Sequence, residues 1–278
     1  MYLSVLNTAI HYDVYGEGFP IVCLHNAGAD SSIWEYQTDF FKSNFQVIVL
    51  DLPGYGKSDR PRVPYTLEYY QQILDAFLNK LEITNCYLLG NCIGASIALH
   101  YAKINPKKVK AMALSNLCGG IQMMQSKSPF LFFRNKILPI TFYHALFQFN
   151  RLIWIRKKVI QRLFGSKIKQ PLFDYLTELQ NHPAHNQSRI YMLQGLKSFD
   201  TFSINFEYKE NHLPPFILFW GQENRVFSAA WVEKIKQRIC MKKTHILQDC
   251  GHLLMYEAPE DYNSKVQQFF ASSDSQKN

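Results

Sequence analysis

The stretch Leu88-Leu89-Gly90-Asn91-Cys92-Ile93-Gly94-Ala95 constrains the chain more than any other. An apolar, strand-like run from Cys86 to Leu89 meets small residues and then a helix-like run from Ile93 to Ala102, so a strand must pass into a helix through a tight bend. Cys92 stands at the apex. Glycines two positions before and after it remove side chains that so sharp a turn cannot hold, and the helix start aims free backbone N–H groups and a positive dipole end at that point. A side chain raised on such a bend has the geometry of a nucleophile elbow, written here Gly-x-Cys-x-Gly in place of Gly-x-Ser-x-Gly. Free cysteine is also among the most buried residue types, so ordinary packing is the competing explanation of Cys92.

The flanking chain sets this bend in an α/β pattern. Residues 3–15 read as two strands turning at Asn7-Thr8, with Ile10, Tyr12 and Val14 alternating against His11, Asp13 and Tyr15. Pro20 to Leu24 is a continuous apolar run, typical of a strand covered on both faces, and it delivers His25-Asn26-Ala27-Gly28 into a loop. Trp34 to Phe41 suits a helix, Phe45 to Leu50 the next buried strand, and Asp51 to Asp59 a glycine-punctuated loop. Thr66 is placed to cap an amphipathic helix whose buried face carries Leu67, Tyr70, Ile73, Leu74, Phe77, Leu78 and Leu81. After the elbow comes a strand from Val109 to Leu114.

From about Gly119 to His212 the strand rhythm stops, and a helical pattern broken at Pro139, Pro171 and Pro183 takes over. Pro215 to Trp220 resumes a buried strand. Ser228 caps a helix expected to run to about Ile239, Lys243 to Gln248 is the last strand, and a helix from about Pro259 to Phe270 leaves Ser272 to Asn278 as a disordered tail. The expected fold is therefore a mostly parallel central sheet flanked by helices, built by residues 1–118 and 213–278, with residues 119–212 inserted as a helical cap. Ligands of such sheets sit at the carboxyl ends of the strands.

Apolar residues make up 47% of the 278, which excludes a disordered chain, while charged residues are 19% and aromatic ones 15%. That balance suits extensive buried or membrane-contacting apolar surface. No apolar run is long enough to span a bilayer, and the first residues lack the basic start and cleavage site of a signal peptide. The expected location is cytoplasmic, with peripheral membrane contact left open. Six cysteines, at 23, 86, 92, 118, 240 and 250, lie mostly in apolar runs without CxxC or metal spacing, so they read as reduced; neither a metal nor a cofactor is expected.

The formal net charge of +8 is concentrated: residues 121–170 carry +10 with no Asp or Glu, and the rest sums to −2. Phe130, Phe132, Phe133, Phe142, Phe147 and Trp154 give the same segment more apolar surface than a short polar substrate needs. Between Ala145 and Phe164 apolar residues recur at helical spacing beside Arg151, Arg156, Lys157, Lys158 and Arg162. The bland reading is a solvated face on a pocket lid. The functional ones are contact with an anionic membrane surface, with an acidic carrier protein, or with coenzyme phosphates. Nucleic acid is not expected, since no recognition motif accompanies the charge.

Taken in order, the His25–Gly28 loop, the Asp51-x-Pro53-Gly54-x-Gly56-x-Ser58 loop, the Cys92 elbow, the cap, the Gly221–Asn224 loop and Gly251-His252 resemble the α/β-hydrolase superfamily over nearly the whole chain. The cysteine nucleophile is that of the dienelactone-hydrolase branch. The resemblance implies that Cys92 is the nucleophile and His252 the base, and that the backbone N–H groups of Ile93 and Ala27 form the oxyanion hole. It gives His25 a loop-shaping role, and makes Asp51, Gly54, Gly56 and Ser58 loop formers as well. Asn26 stands where the family prefers glycine, and asparagine tolerates left-handed backbone better than most residues.

The family's acid position, Gly-x-x-Asp, holds Asn224. Losing that carboxylate can take about 10⁴ from the rate of a serine enzyme. Cysteine needs less help, because its thiol titrates near roughly 8.5, lower beside a helix N-terminus and an imidazolium, and can rest as a thiolate–imidazolium pair. The carbonyl of Asn224 would then orient His252 without supplying charge, as in the Cys-His-Asn enzymes of the papain kind. Glu223 is the alternative acid; the second acid location, after the Val109 strand, holds Ser115-Asn116 and offers no carboxylate. The expected activity is hydrolysis of a small hydrophobic acyl substrate, as an esterase, thioesterase or lactonase, through an acyl-cysteine. The alternatives are an acyltransferase using the same intermediate, and a non-catalytic protein that binds a hydrophobic ligand on this scaffold.

Overall fold

The computed structural model describes residues 1–119, 157–158, 160–166, 169–199, 213–237, 239 and 243–275. Eight strands form one sheet in the order β1-β2-β4-β3-β5-β6-β7-β8. They are β1 (Tyr2–Val5), β2 (Thr8–Tyr15), β3 (Phe19–Leu24), β4 (Phe45–Leu50), β5 (Cys86–Asn91), β6 (Val109–Ser115), β7 (Phe216–Gly221) and β8 (Lys243–Leu247). β1 and β2, and β2 and β4, pair antiparallel; every later pairing is parallel. The expected mostly parallel sheet is thus observed, with an antiparallel hairpin on one edge. Leu6 and Asn7 turn that hairpin at φ 47° and 59°.

Strand alternation divides the apolar residues between two faces. Cys86, Leu88, Met112 and Leu114 pack on one side under α2 (Leu67–Lys80) and α3 (Ile93–Ile104). Tyr87, Leu89, Ala111 and Ala113 pack on the other, with Trp34, Phe41 of α1 (Glu35–Phe41) and the helices α7 (Leu254–Glu257) and α8 (Pro259–Ser275). Thr66 caps α2 as expected, its hydroxyl accepting from Tyr69 N–H at 3.0 Å.

Within the inserted segment the described helices are α4 (Gln170–Asn181) and α5 (Pro183–Gly195). The helical pattern is interrupted at Pro171 and Pro183 as expected, and each proline sits in the first turn of the helix that follows, where the missing N–H has no helical partner to lose. Gln180 Nε2 donates to the Gly28 carbonyl (3.0 Å), and Tyr175 donates to Asp30 (2.6 Å), which holds α4 over the loop after β3. Pro139, the aromatic residues 130–154 and the basic ones up to Arg156 lie outside the described residues. Lys157 and Lys158 are exposed.

Two expectations are corrected. The helix after Ser228, α6, covers Trp231–Lys236. α8 continues through Ser275, because Phe270 stacks on Tyr87 at 3.9 Å and Ser272 and Ser273 hydroxyls bond back to the Phe269 carbonyl; residues 272–275 are helix and not tail, and residues 276–278 lie outside the described residues. Among the described residues no helix is long and apolar enough to cross a membrane.

Candidate active site

β5 ends at Asn91, and Cys92 takes φ 54°, ψ −112° before α3 begins at Ile93. This is strained backbone for a residue with a side chain, and it is held from both sides. Cys92 N–H donates to the Ser115 carbonyl at 2.9 Å, and the Cys92 carbonyl accepts from Ser96 N–H at 3.1 Å. Gly94 explains the motif's second glycine: a Cβ there would strike the Leu24 carbonyl and come within 2.8 Å of the His25 carbonyl oxygen. The end of β3 therefore lies directly against the start of α3, which brings the His25–Gly28 loop, with Ala27, beside the elbow and Ile93.

That loop is tied down by His25. Its Nδ1 meets the Asn26 carbonyl (2.8 Å) and its Nε2 accepts from Leu52 N–H (2.9 Å), so both ring nitrogens are used and burial holds the imidazole neutral. Asp51 organises the neighbouring loop, accepting from Ser31 N–H and Lys57 N–H and facing His11 Nδ1 at 3.1 Å. The Ser58 hydroxyl donates to the Asp51 carbonyl at 2.6 Å. Both residues are engaged in holding loops.

His252 follows β8. Its N–H donates to the Leu163 carbonyl of the inserted segment (2.7 Å), and its own carbonyl accepts from Asn91 (3.1 Å) and Asn116 (2.9 Å). The side chain is 1% exposed and its ring lies edge-on to Phe227. Asn224 reaches its Nδ1 at 3.1 Å, as the sequence placed it, but with the other end of the amide. Asn224 Oδ1 already accepts from Val226 N–H (2.9 Å) and Phe227 N–H (3.0 Å), so only the NH₂ group is left to face His252. The expectation of a carbonyl orienting the imidazole is overturned by these two backbone donors.

Glu223, the alternative acid, bonds the Cys250 carbonyl through its N–H, and its carboxylate lies near Cys250 and Glu257. Burial alone pushes His252 down to about 3. Cys92 moves the opposite way: its bond with the Cys118 thiol, and then burial, hold its thiol well above the usual range, outweighing the lowering by Ile93 N–H. Both shifts favour the uncharged forms, a thiol on Cys92 and a neutral imidazole on His252, over the thiolate and imidazolium the residue types allowed.

Several site residues were missed in the sequence. Asn116 Nδ2 donates to Asn91 Oδ1 (2.9 Å), and its Oδ1 accepts from Asn224 Nδ2 (2.9 Å). Asn91 Nδ2 donates in turn to Asn26 Oδ1 at 3.3 Å. Four buried amides thus run from the His25–Gly28 loop to His252. Cys118 joins them, its carbonyl accepting from the Ser96 hydroxyl at 2.5 Å. His185 of α5 is buried near Tyr55 (rings 6.4 Å apart), with Nε2 unbonded, and is pushed down to about 3 by burial and then by Arg189. Among the described residues no group of three or more His, Cys, Asp or Glu is placed to hold a metal.

Residues 20–259 match the family model described as alpha/beta hydrolase fold. The chain is 36% identical over 104 residues to a haloalkane dehalogenase of Agrobacterium fabrum, covering 37% of this chain and 34% of that one. It is 24% identical over 291 residues to a cis-3-alkyl-4-alkyloxetan-2-one decarboxylase of Shewanella oneidensis, covering 98% and 88%. Among solved structures, the enol-lactonase from Burkholderia xenovorans superposes with a TM-score of 0.80 at 18% identity, covering 98% of this chain and 100% of that one. With the elbow, the loop beside it and the late histidine all at the carboxyl ends of parallel strands, the chain belongs to the alpha/beta hydrolase fold family.

Proposed function

We propose that this protein is an acyl-group hydrolase that takes a hydrophobic ester, thioester or lactone through Cys92. The observation that carries the reading is the elbow backbone: a cysteine held at φ 54°, ψ −112° on the N-terminus of α3, under strain that ordinary packing does not require. In the reaction the sulfur bonds to the substrate carbonyl carbon, and Ile93 and Ala27 N–H groups receive the oxyanion. The bond to the leaving group then breaks, giving acyl-Cys92, and water releases the acid. In the family's pattern His252 would carry the thiol proton to the leaving group, which needs Nε2 bare and the ring proton on Nδ1, the tautomer that the Asn224 NH₂ group opposes.

A second reading, a hydrophobic-ligand-binding protein on this scaffold, is favoured by one observation: both acid locations, 116 and 224, hold asparagine, and the two are bonded to each other. Intact-mass spectrometry of wild type and Cys92→Ala after brief exposure to acyl esters and thioesters, with and without an amine, separates the readings. An acyl mass on wild type alone, discharged by water, supports the hydrolase. Discharge by the amine in preference to water makes the protein a transferase. No adduct and no turnover across the panel removes the enzyme reading and leaves the ligand binder.

A further inference from the structure

Asn224 and Asn116 leave no freedom in the hydrogen bonding around His252. An amide offers two donors and accepts twice, and Asn224 uses all four: Val226 N–H and Phe227 N–H on its oxygen, Asn116 Oδ1 and His252 Nδ1 from its nitrogen. Turning the amide over would aim its NH₂ at two backbone N–H groups. Asn116 is equally committed, donating to Asn91 Oδ1 and the His252 carbonyl while accepting from Asn224 and, at 3.4 Å, from Gly221 N–H. Since His252 Nδ1 accepts a hydrogen bond, the ring's one proton is on Nε2.

We propose that Asn116 and Asn224 are positioning residues that lock His252 in the Nε2–H tautomer, and that the site is thereby suited to thioesters, whose thiolate leaving group departs without a delivered proton. The inference rests on Cys92 acting as the nucleophile. An imidazole with Nε2 already protonated cannot take the thiol proton. Attack on an oxygen ester then stalls, because the alkoxide must leave while no group has collected a proton for it. Exchange with a thioester needs no proton at its leaving group: Cys92–SH ionises to solvent, its thiolate and R–CO–S–R′ give Cys92–S–CO–R and R′–S⁻, and R′–S⁻ takes up a proton to become R′–SH. One C–S bond forms, one breaks, and the proton lost by one sulfur is gained by the other through solvent. Hydrolysis of the acyl-cysteine does need an activated water, so the lock also makes that intermediate long-lived in water and dischargeable by thiols.

Three measurements on the full chain test this. Histidine ¹⁵N NMR, with His252 assigned by its loss in His252→Gln, is expected to give a bare Nδ1 and a protonated Nε2 in wild type. A protonated Nδ1 or an imidazolium overturns the lock whatever the protein's activity. In Asn224→Asp the proton is expected to move to Nδ1, and Cys92 alkylation by iodoacetamide at pH 7, read by peptide mass, to rise by about threefold for each unit by which the thiol pKa falls, the tenfold gain in thiolate being partly offset by its lower nucleophilicity. An unmoved proton with unmoved alkylation refutes the positioning role; if Asn224→Asp does not fold, the wild-type spectrum decides alone.

The substrate arm compares a thioester and an oxygen ester of one acyl chain. Wild type is expected to acylate from the thioester at least about 100-fold faster, with the gap narrowing in Asn224→Asp as a base becomes available. Equal narrow gaps in both proteins overturn the substrate assignment. An absent adduct on Cys92 with either substrate defeats the nucleophile reading instead, and the NMR result shows separately whether the lock exists.

Discussion

Gly94→Ala tests how the elbow and the oxyanion loop are held together. On helix propensity alone the change is favourable, since alanine stabilises a helix interior by about 1 kcal/mol over glycine. The contacts oppose it. The added Cβ would lie 2.5 Å from the Leu24 carbonyl carbon and 2.8 Å from the His25 carbonyl oxygen, both backbone atoms with no rotamer to escape into. Ordinary carbon contact begins near 3.5 Å, so β3 and α3 must part by about 1 Å. Overpacking of this kind typically costs about 1–3 kcal/mol, and backbone against backbone belongs at the upper end, so a net loss of about 2 kcal/mol is expected. For a chain of this size that lowers Tm by roughly 4–8 °C in a thermal melt. The same 1 Å moves Ala27 N–H away from the oxyanion, and a misplacement of that order costs on the order of 10²-fold in rate. The assay pairs the melt with the Cys92 acylation rate. A Gly94→Ala protein as stable as wild type, acylating at the wild-type rate, would refute both the contact and its role.

Stability should peak near pH 6.5. His252 and His185, near 6.5 unfolded and pushed down to about 3 by burial, take up protons only on unfolding. Each therefore removes stability as pH falls through that window, with a slope approaching about 1.4 kcal/mol per unit. Glu257 works against them: its carboxyl is raised by burial from 4.5 to about 7, so its contribution is lost as pH rises between those values. Melts across pH 3–8 should fall most steeply below 4.5, and Glu257→Gln should steepen the rise from 4.5 to 6.5. Phe270→Ala should lose about 3–5 kcal/mol in urea unfolding, because it empties the stack on Tyr87 and frees the end of α8; a loss under about 1 kcal/mol would show that the helix end is not docked there. His25→Ala leaves Leu52 N–H buried without its acceptor, so a loss of about 1–3 kcal/mol is expected together with slower acylation. Unchanged acylation would remove His25 from the shaping of the oxyanion loop.

The sheet was legible because its strands are short apolar runs delimited by glycine, proline and polar loops, and β4, from Phe45 to Leu50, lies where the sequence placed it. In the insertion, proline marked where helices begin. A missing N–H breaks a helix interior but suits a first turn, and residue type alone does not say which Pro171 and Pro183 occupy. The polar end of α8 read as tail because Ser272 to Ser275 carry no apolar pattern of their own; Phe270, anchored on Tyr87, holds the turn before them. In the site, the search for a carboxylate found Asn224 and passed over Asn116 for having none. The orientation of Asn224 was beyond the sequence altogether, being decided by the backbone N–H groups of Val226 and Phe227, which a residue string does not locate in space.

The amides also explain how a polar site this deep stays folded without charge. A buried carboxylate at 224 or 116 must be compensated by an imidazolium or by several donors, and desolvation can exceed the attraction it gains. Neither position holds an ion, and Asn224 and Asn116 each fill every donor and acceptor, so these two amides leave no orphan to destabilise the network. The same completeness makes it unforgiving. Asn224→Asp removes the donor to Asn116 Oδ1 and buries a charge, so it should lower stability by about 1–3 kcal/mol while it frees Nε2 to act as a base. Reactivity and stability should therefore move in opposite directions in that variant. A protein that becomes less stable without any gain in Cys92 reactivity would mean that the asparagines serve packing alone, and that the neutrality of His252 has no bearing on the thiol.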